Sequence, residues 1–575
     1  MRRLRFSRRR RMIVRSRKTR SMVSLPAPVR CLGLAIVLCA AVANAGAREV
    51  TADRLLHARD EPQNWLMHLG SYDGARYSGL DAINAETVSQ LVELYSVPLG
   101  GLLQGGGSFQ DALPISPLVE DGFLYIVDGN GRVNKLDAHR RGAVVWRNDA
   151  GQRDLDSWLE PSRGLAFHGD YVIATSADGH LHWIDKETGE TARSVAIGDP
   201  TEGYTIVAPP LVAGDRIIVG GGGFDRGAAG RIDAIDAETG DHLWRVDTLA
   251  EGGAPGPIGG GTIFQTGVYD PATGLTVWGT GAPVPRFAPF AGDAGASRSN
   301  SAIAIDVETG AVRWHFQYVP GSDPNGFSEA GTHQLAALDG ADPVLMHFGN
   351  NGYAYALDMA DGSLRSATGH VLGPLWPGVD PLDGRPETGE GGGLDTAWAN
   401  RADCPNILGD PAYVAAFSPR TGLAYGAGAD GCLTENLPVI KTYSAPGWLG
   451  AYYAGAAGNL GMLSAIDPQT GALVAQRLFD FPVHGGALAT AGGLVFAMTA
   501  EGTLHALDEE TLEPVWSRKF GSLAPIPPVT FEVDGQQRIA IVVGGNAFTP
   551  DLSYRPPEMG ISEPIFVLVV LGLRS

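Results

Sequence analysis

The sequence predicts an all-β chain, an eight-bladed β-propeller of four-stranded antiparallel blades. Two observations carry this. The 575 residues include 79 Gly and 38 Pro, about a fifth of the chain in the two residues that punctuate turns rather than fill helices. A short pattern also recurs, an apolar residue and Asp followed by Thr-Gly or a loose version of it, often with Trp a few residues on.

The pattern stands at Asp137, Asp185, Asp236, Asp306, Asp358, Asp467 and Asp508, with Trp146, Trp244, Trp314 and Trp516 following four of them. Successive intervals are 48, 51, 70, 52, 109 and 41 residues. The interval of 109 fits two units, with Phe417 to Gly422 (FSPRTG) marking the missing one, so eight units near fifty residues are expected. Alternating strands repeated at that period are the signature of a propeller. Strand-forming stretches such as 123–127 (FLYIV) and 216–219 (RIIV) precede the turns. In each turn Asp and Thr can bond local backbone N–H groups while Gly takes positive φ. The Trp is expected between adjacent sheets, joining one blade to the next.

The apolar run Ile565 to Leu573 is too short for a membrane helix and reads as a last strand that completes a blade begun near the N-terminus.

The first 47 residues hold 12 Lys or Arg and no acid. An Arg-rich stretch leads into the apolar run 31–43 (CLGLAIVLCAAVA) and the small-residue sites Ala43-Asn44-Ala45 and Ala45-Gly46-Ala47, the pattern of a cleaved export signal. The basic stretch is long, and Met22 would begin a signal of ordinary length. Ser7-Arg8-Arg9 faintly suggests a twin-arginine signal, but the apolar run lies far from it. A disordered basic tail on a cytosolic protein leaves the apolar run and its cleavage sites unexplained. The expected organisation is therefore a signal peptide over 1–47 and a propeller over 48–575, located in the periplasm with no membrane span.

Without those residues the chain has 31 basic against 63 acidic side chains. Such a surface repels nucleic acid and attracts a basic partner protein. Cleavage would also remove Cys31 and Cys39, leaving Cys404 and Cys432 as the only thiols in an oxidising compartment, where one disulfide is the economical reading. No CxxCH occurs, which excludes a c-type haem, so a redox centre here would need a separate electron acceptor. His180 and His182 share a strand face, but no third ligand follows at useful spacing, and they read as packing residues.

These turns, with Asn64-Trp65, 72–78 (YDGARYS) and 485–496 (GGALATAGGLVF), resemble the quinoprotein alcohol dehydrogenases over nearly the whole mature chain. That family consists of periplasmic eight-bladed propellers that use pyrroloquinoline quinone (PQQ) and a calcium or lanthanide ion. There the metal polarises a quinone carbonyl, an Asp takes the alcohol proton and hydride moves to the quinone. The resemblance implies PQQ and Ca2+ as cofactors and a small-molecule alcohol or polyol as substrate. A basic cytochrome c would suit the acidic surface as electron acceptor.

Residue by residue, Asp225 in 220–227 (GGGGFDRG) stands at a metal-binding Glu, one methylene shorter, with a polar turn residue as the equal alternative. Phe264, ending 259–264 (GGGTIF), stands at the Trp that floors the quinone, and Ala282 stands at a metal-ligating Asn and offers no ligand. Asp323 is the acid nearest the position of the base and a second candidate metal ligand. Ser157-Trp158 replaces an adjacent-cysteine disulfide over the other quinone face, making Trp158 the second wall. Arg163 matches and would pair a quinone carboxylate, or equally salt-bridge a blade loop. Val207 replaces a Thr, Asn350 a basic residue near the quinone carbonyls, and His484 a Trp. The segment from Cys404 to Cys432 resembles the family's structural disulfide.

Two readings follow: an alcohol-oxidising quinoprotein, or a propeller of the same descent that has lost quinone and acts as a binding protein or non-redox enzyme. A blade-edge interaction protein is a third, weaker class, because long insertions such as 366–400 exceed what a scaffold needs.

Overall fold

The strands between residues 118 and 573 build antiparallel sheets arranged as eight four-stranded blades, with two short ribbons beside them, Gly259–Gly260 with Pro283–Val284 and Gly378–Val379 with Pro386–Glu387. The computed structural model describes residues 49–101, 116–150, 162–176, 178–223, 227–249, 259–284, 298–320, 328–338, 341–373, 376–382, 384–387, 402–403, 414–434, 456–483, 485–521, 526–544 and 565–574. For 101, 402–403, 429–434, 456–459 and 565 it describes the backbone alone. No helix among the described residues is long and apolar enough to cross a membrane.

In sequence order the blades span residues 118–148, 165–196, 211–247, 268–317, 333–369, 416–479, 487–519 and 529–573, the eighth borrowing its fourth strand. Burial grades across each one. First strands are buried almost throughout, Leu211–Ala213 wholly and Leu165–His168 up to its last residue, whereas the fourth strand His242–Asp247 alternates between exposed and buried. The first strands therefore line the centre of the ring and the fourth strands its rim.

The turn between third and fourth strands is as expected. Asp185 Oδ1 accepts from the backbone N–H groups of Glu187 and Thr188 at 3.0 and 2.7 Å and from the Thr188 hydroxyl at 3.0 Å. Gly189 closes the turn at φ +74°. In the matching turn of the fourth blade, hydrogen bonds from Arg313 and Thr309 hold the Asp306 carboxyl down at about 2. Two turns depart from glycine: Arg141 and Leu512 both take φ +56° in its place.

Three of the four tryptophans join blade to blade. Trp146, Trp244 and Trp314 each donate Nε1–H to the carbonyl just after the Asp of the next blade's turn: Lys186, Val307 and Met359, at 3.0, 2.9 and 3.1 Å. Each indole also lies against that turn's glycine. A Cβ on Gly189, Gly310 or Gly362 would come within 2.7 Å of a ring carbon. These glycines thus serve both the left-handed backbone and the approach of the neighbouring blade.

One step of the repeat arithmetic is corrected. Phe417 to Gly422 is not a separate unit; it is the hairpin between Ala416–Ser418 and Leu423–Thr434, the first two strands of the sixth blade. The eighth blade has no Asp-x-x-Thr-Gly turn because its last hairpin does not exist as continuous chain. Its strands Val529–Val533, Gln536–Val543 and Ile565–Leu573 are completed by Leu91–Gly101, which pairs antiparallel with the C-terminal strand from Leu91↔Leu573 to Gly101↔Ile565. The C-terminal run closes the ring, as its sequence predicts.

A second closure runs through the middle. Residues 63–77 bond by backbone to six blades, pairing Gln63 with Glu532, Trp65 with Val119, Tyr72 with Tyr269, Asp73 with Leu335, Ala75 with Phe417 and Arg76 with Ala489. Tyr77–Ser78 adds a parallel strand beside Ala487–Thr490. Arg76 is fully buried and donates to the carbonyls of Ala487, His68 and Pro528 at 3.1, 3.3 and 2.6 Å, with its guanidinium 5.2 Å from the Trp65 ring centroid.

Gly310→Ala is expected to cost about 2–4 kcal/mol, combining left-handed strain with a clash against Trp244. Gly274→Ala, at φ +71° with nothing within 4 Å of the new methyl, is expected to cost only about 1 kcal/mol. Equilibrium denaturation of both variants measures the difference; equal losses would show that the indole contact contributes nothing.

Candidate functional site

The site is built from two repeating positions, the entry to each first strand and the turn between second and third strands. Arg163 lies just ahead of Leu165–His168, Val207 ahead of Leu211–Ala213, Phe264 ahead of Val268–Asp270 and Ala330 ahead of His333–Ala336. Blade symmetry therefore brings residues 163, 207, 264 and 330 to one level around the axis. Arg163 N–H donates to the Val207 carbonyl at 2.8 Å, and Val207, Phe264 and Ala330 form a small buried apolar cluster. The Arg163 guanidinium lies 5.2 Å from the Phe264 ring centroid.

The fifth blade supplies the polar wall. Asn350, in the turn after Val344–Phe348, donates Nδ2–H to the Ser328 carbonyl at 2.5 Å. Ser328 Oγ is buried and makes no hydrogen bond among the described residues. It lies 3.1 Å from where a Cβ on Gly281 would stand, and Phe264 Cε2 lies 3.3 Å from the same point. Arg163, Phe264 and Asn350 are thus linked, through Ser328 and Gly281, into one wall. Ala282 is buried beside it, its carbonyl accepting from Gly261 N–H at 2.9 Å.

Trp158, Asp225, Asp323, His484 and Cys404 lie outside the described residues. Among the described residues no group of three or more His, Cys, Asp or Glu gathers as a metal-holding set. Cys432 lies in Leu423–Thr434, whose final residues pair as Leu433↔Asp403 and Thr434↔Ala402.

His180 and His182 stack with ring centroids 6.1 Å apart. His182 Nε2 meets Ser176 Oγ at 2.9 Å, and Ser176 Oγ also donates to Asp178. The seventh blade repeats this arrangement with Thr499, Glu501 and His505, and the first repeats part of it with Asp128 and Asn134. The two histidines belong to the blade's own turn chemistry.

Sequence reasoning missed Glu329. Its carboxylate is buried and accepts from the backbone N–H groups of Asn350 and Asn351 at 2.8 and 3.1 Å, and His347 Nε2 lies 3.1 Å away. The available signal was a second acid six residues beyond Asp323.

The described lining suits a planar polyanion: a guanidinium, an aromatic plate and a buried hydroxyl still holding hydrogen-bonding capacity. Similarity to known proteins gives this chemistry a family. The family described as "Glucose/ethanol/alcohol dehydrogenase, beta-propeller domain" matches residues 65–363. The quinoprotein alcohol dehydrogenase PedH of Pseudomonas putida is 30% identical, with 90% of this chain and 92% of that protein covered. The chain belongs to the quinoprotein alcohol dehydrogenase family. A lanthanide-dependent methanol dehydrogenase of Methylacidiphilum fumariolicum is also 30% identical, with 86% of each covered. Among solved structures, a europium-containing methanol dehydrogenase superimposes with a TM-score of 0.76 at 27% identity, covering 91% of this chain and all of that one. Residues 460–546 also match the family described as "Outer membrane protein assembly factor BamB". The quinoprotein is an oxidoreductase of a PQQ-dependent family.

Its buried histidines set an acid limit. Burial holds His68 down to about 3, and the nearby Arg76 adds to the shift. Burial likewise lowers His182 and His370 to about 4 and His333 well below its usual range. The unfolded chain takes up these protons near pH 6.5 and the folded one does not, so stability is full above about pH 6.5 and falls as the pH drops toward 4. Melting temperature between pH 8 and 4 should fall most steeply below pH 6.5; a flat profile down to pH 4.5 would contradict neutral burial.

Proposed function

We propose that this quinoprotein is an exported, periplasmic PQQ-dependent dehydrogenase that oxidises an alcohol or polyol. The observation that carries the reading is the wall formed by Arg163, Phe264, Ser328 and Asn350 at the level set by the first-strand entries. Arg163 pairs a carboxylate of the cofactor, Phe264 stacks on its ring and the Ser328 hydroxyl bonds its edge. Trp158 covers the opposite face, while His484 and Asn350 take the places of a Trp and a basic residue in the family pattern. Asp225 and Asp323 hold a Ca2+ or lanthanide ion. Bound quinone and ion supply the hydride acceptor and its polarisation. Asp323 takes the hydroxyl proton of the substrate as general base.

Residues 1–47 form the cleaved signal and 48–575 the propeller. Electrons leave to a separate acceptor, a basic cytochrome c suiting the acidic surface, and no haem is carried. A Cys404–Cys432 disulfide fits export.

A second reading is favoured by one distance. A flat ring needs ~3.5 Å on each side, so a guanidinium 5.2 Å from the Phe264 centroid leaves no space for a quinone between them. Either Arg163 moves to the rim when the cofactor enters, or the funnel has closed on itself and serves binding or non-redox chemistry.

An absorption spectrum of the periplasmic protein mixed with PQQ and calcium or a lanthanide separates the two. Bound quinone and dye reduction with an alcohol are expected. Asp323→Asn should abolish turnover while quinone stays bound, because the amide keeps the shape and cannot take the proton. If wild type shows neither absorbance nor turnover, the second reading stands, and Phe264→Trp, Ala282→Asn and Asp225→Glu together should restore binding. Intact mass should show two hydrogens fewer than the mature chain and an N-terminus near Gly46 or Arg48; two free thiols would defeat the disulfide.

A further inference from the structure

We propose that Glu329 and His347 are a buried ion pair with one proton in the gap between them, and that this pair positions the Gly349-Asn350-Asn351 turn on the funnel wall. His347 Nδ1 lies 3.2 Å from the Thr332 carbonyl oxygen. A carbonyl oxygen only accepts, so Nδ1 carries a hydrogen. Nε2 faces Glu329 Oε2 at 3.1 Å. If the ring were neutral with its single hydrogen on Nδ1, a lone pair would face a carboxylate, which is repulsive. One further proton therefore occupies that gap.

The carboxylate decides where it sits. Glu329 Oε2 also accepts Asn350 N–H at 2.8 Å, and Oε1 accepts Asn351 N–H at 3.1 Å. Hydrogen bonds given to the ionised form favour it, which leaves the proton on the ring. The side chains of Glu329 and His347 are 0 and 1% exposed, so water offers neither charge an alternative partner. On its faces the imidazolium meets Tyr318, with ring centroids 4.3 Å apart, and His333 at 4.8 Å. Tyr318 OH bonds His333 Nε2 at 2.9 Å. Burial and the adjacent His347 both hold His333 below its usual range, so the neighbouring ring stays neutral.

The consequence for the site follows from the same bonds. The second-to-third-strand turn of this blade has its two central N–H groups tied to Glu329, and Glu329 N–H is tied in turn to Asn300 Oδ1 at 3.2 Å. A Cβ on Gly349 would stand 3.2 Å from Glu329 Oε2, so the turn approaches the carboxylate closely. The Asn350 side chain is thereby held on Ser328. Its bearing on cofactor binding rests on the quinone reading above; the pair itself does not.

The test uses the full-length protein, labelled with 15N-histidine, the His347 resonances being assigned by their loss in His347→Gln. In wild type at pH 7 both ring nitrogens of His347 should be protonated. In Glu329→Gln the amide N–H can donate to Nε2, so that nitrogen should lose its proton while Nδ1 keeps its own. A wild-type ring bearing one proton, or a ring state unchanged in Glu329→Gln, overturns the proposal. If Glu329→Gln does not fold, the wild-type spectrum alone decides between a doubly and a singly protonated ring. PQQ titration is the separate arm: the variant should bind roughly tenfold more weakly, the effect of one mispaired buried donor. A protein that binds no quinone in either form, with the ring protonated as stated, sinks the quinone reading and leaves the pair standing.

Discussion

Arg76 is sealed from solvent, yet its guanidinium meets two carbonyls from neighbouring blades and one from its own segment. A buried cation of this kind is tolerated only where its hydrogens are matched by acceptors, and here the acceptors are the backbone of the ring itself. The segment that carries it bonds to six blades, so the spacing of the first strands around the axis is set from the centre. The residues of the site stand at the entries to those strands. Displacing the central segment would move Arg163, Phe264 and Ala330 relative to one another before any residue of the site itself was altered.

What was legible in the sequence was what is local. The Asp-x-x-Thr-Gly turns close on themselves within five residues, so their chemistry is written in consecutive positions, and the Trp that follows reports its blade-to-blade role through the glycine it needs opposite. The unit placed at Phe417 failed for the same reason the others succeeded: a Thr-Gly turn also closes a first hairpin, and its local bonds look alike from sequence. The eighth blade left no repeat to count because its final strand comes from the other end of the chain.

The site divides along the same line. Arg163 and Phe264 were singled out because matching positions keep cation and aromatic character, and Asn350 because it stands where the family pattern has a basic residue; the structure links the three into one wall. Glu329 was missed because nothing in an acid's neighbours foretells that backbone N–H groups twenty-one and twenty-two residues later will claim it. His347 was equally silent, since its meaning lies in which oxygen faces each nitrogen. A wall residue can be read by type; the residues that hold it are read by geometry.

The eighth blade carries a consequence for synthesis. Leu91–Gly101 finds its partner strand only when Ile565–Leu573 exists, after nearly the whole chain has been made. Until then Leu91–Gly101 has no partner and the last sheet lacks its two closing strands, and pairing across such a separation is slow. A nascent chain therefore cannot close its ring until its C-terminal strand has been made. It also means that a protease removing the last eleven residues would reopen the ring at a single seam, exposing edge strands to aggregation while leaving the other seven blades chemically intact.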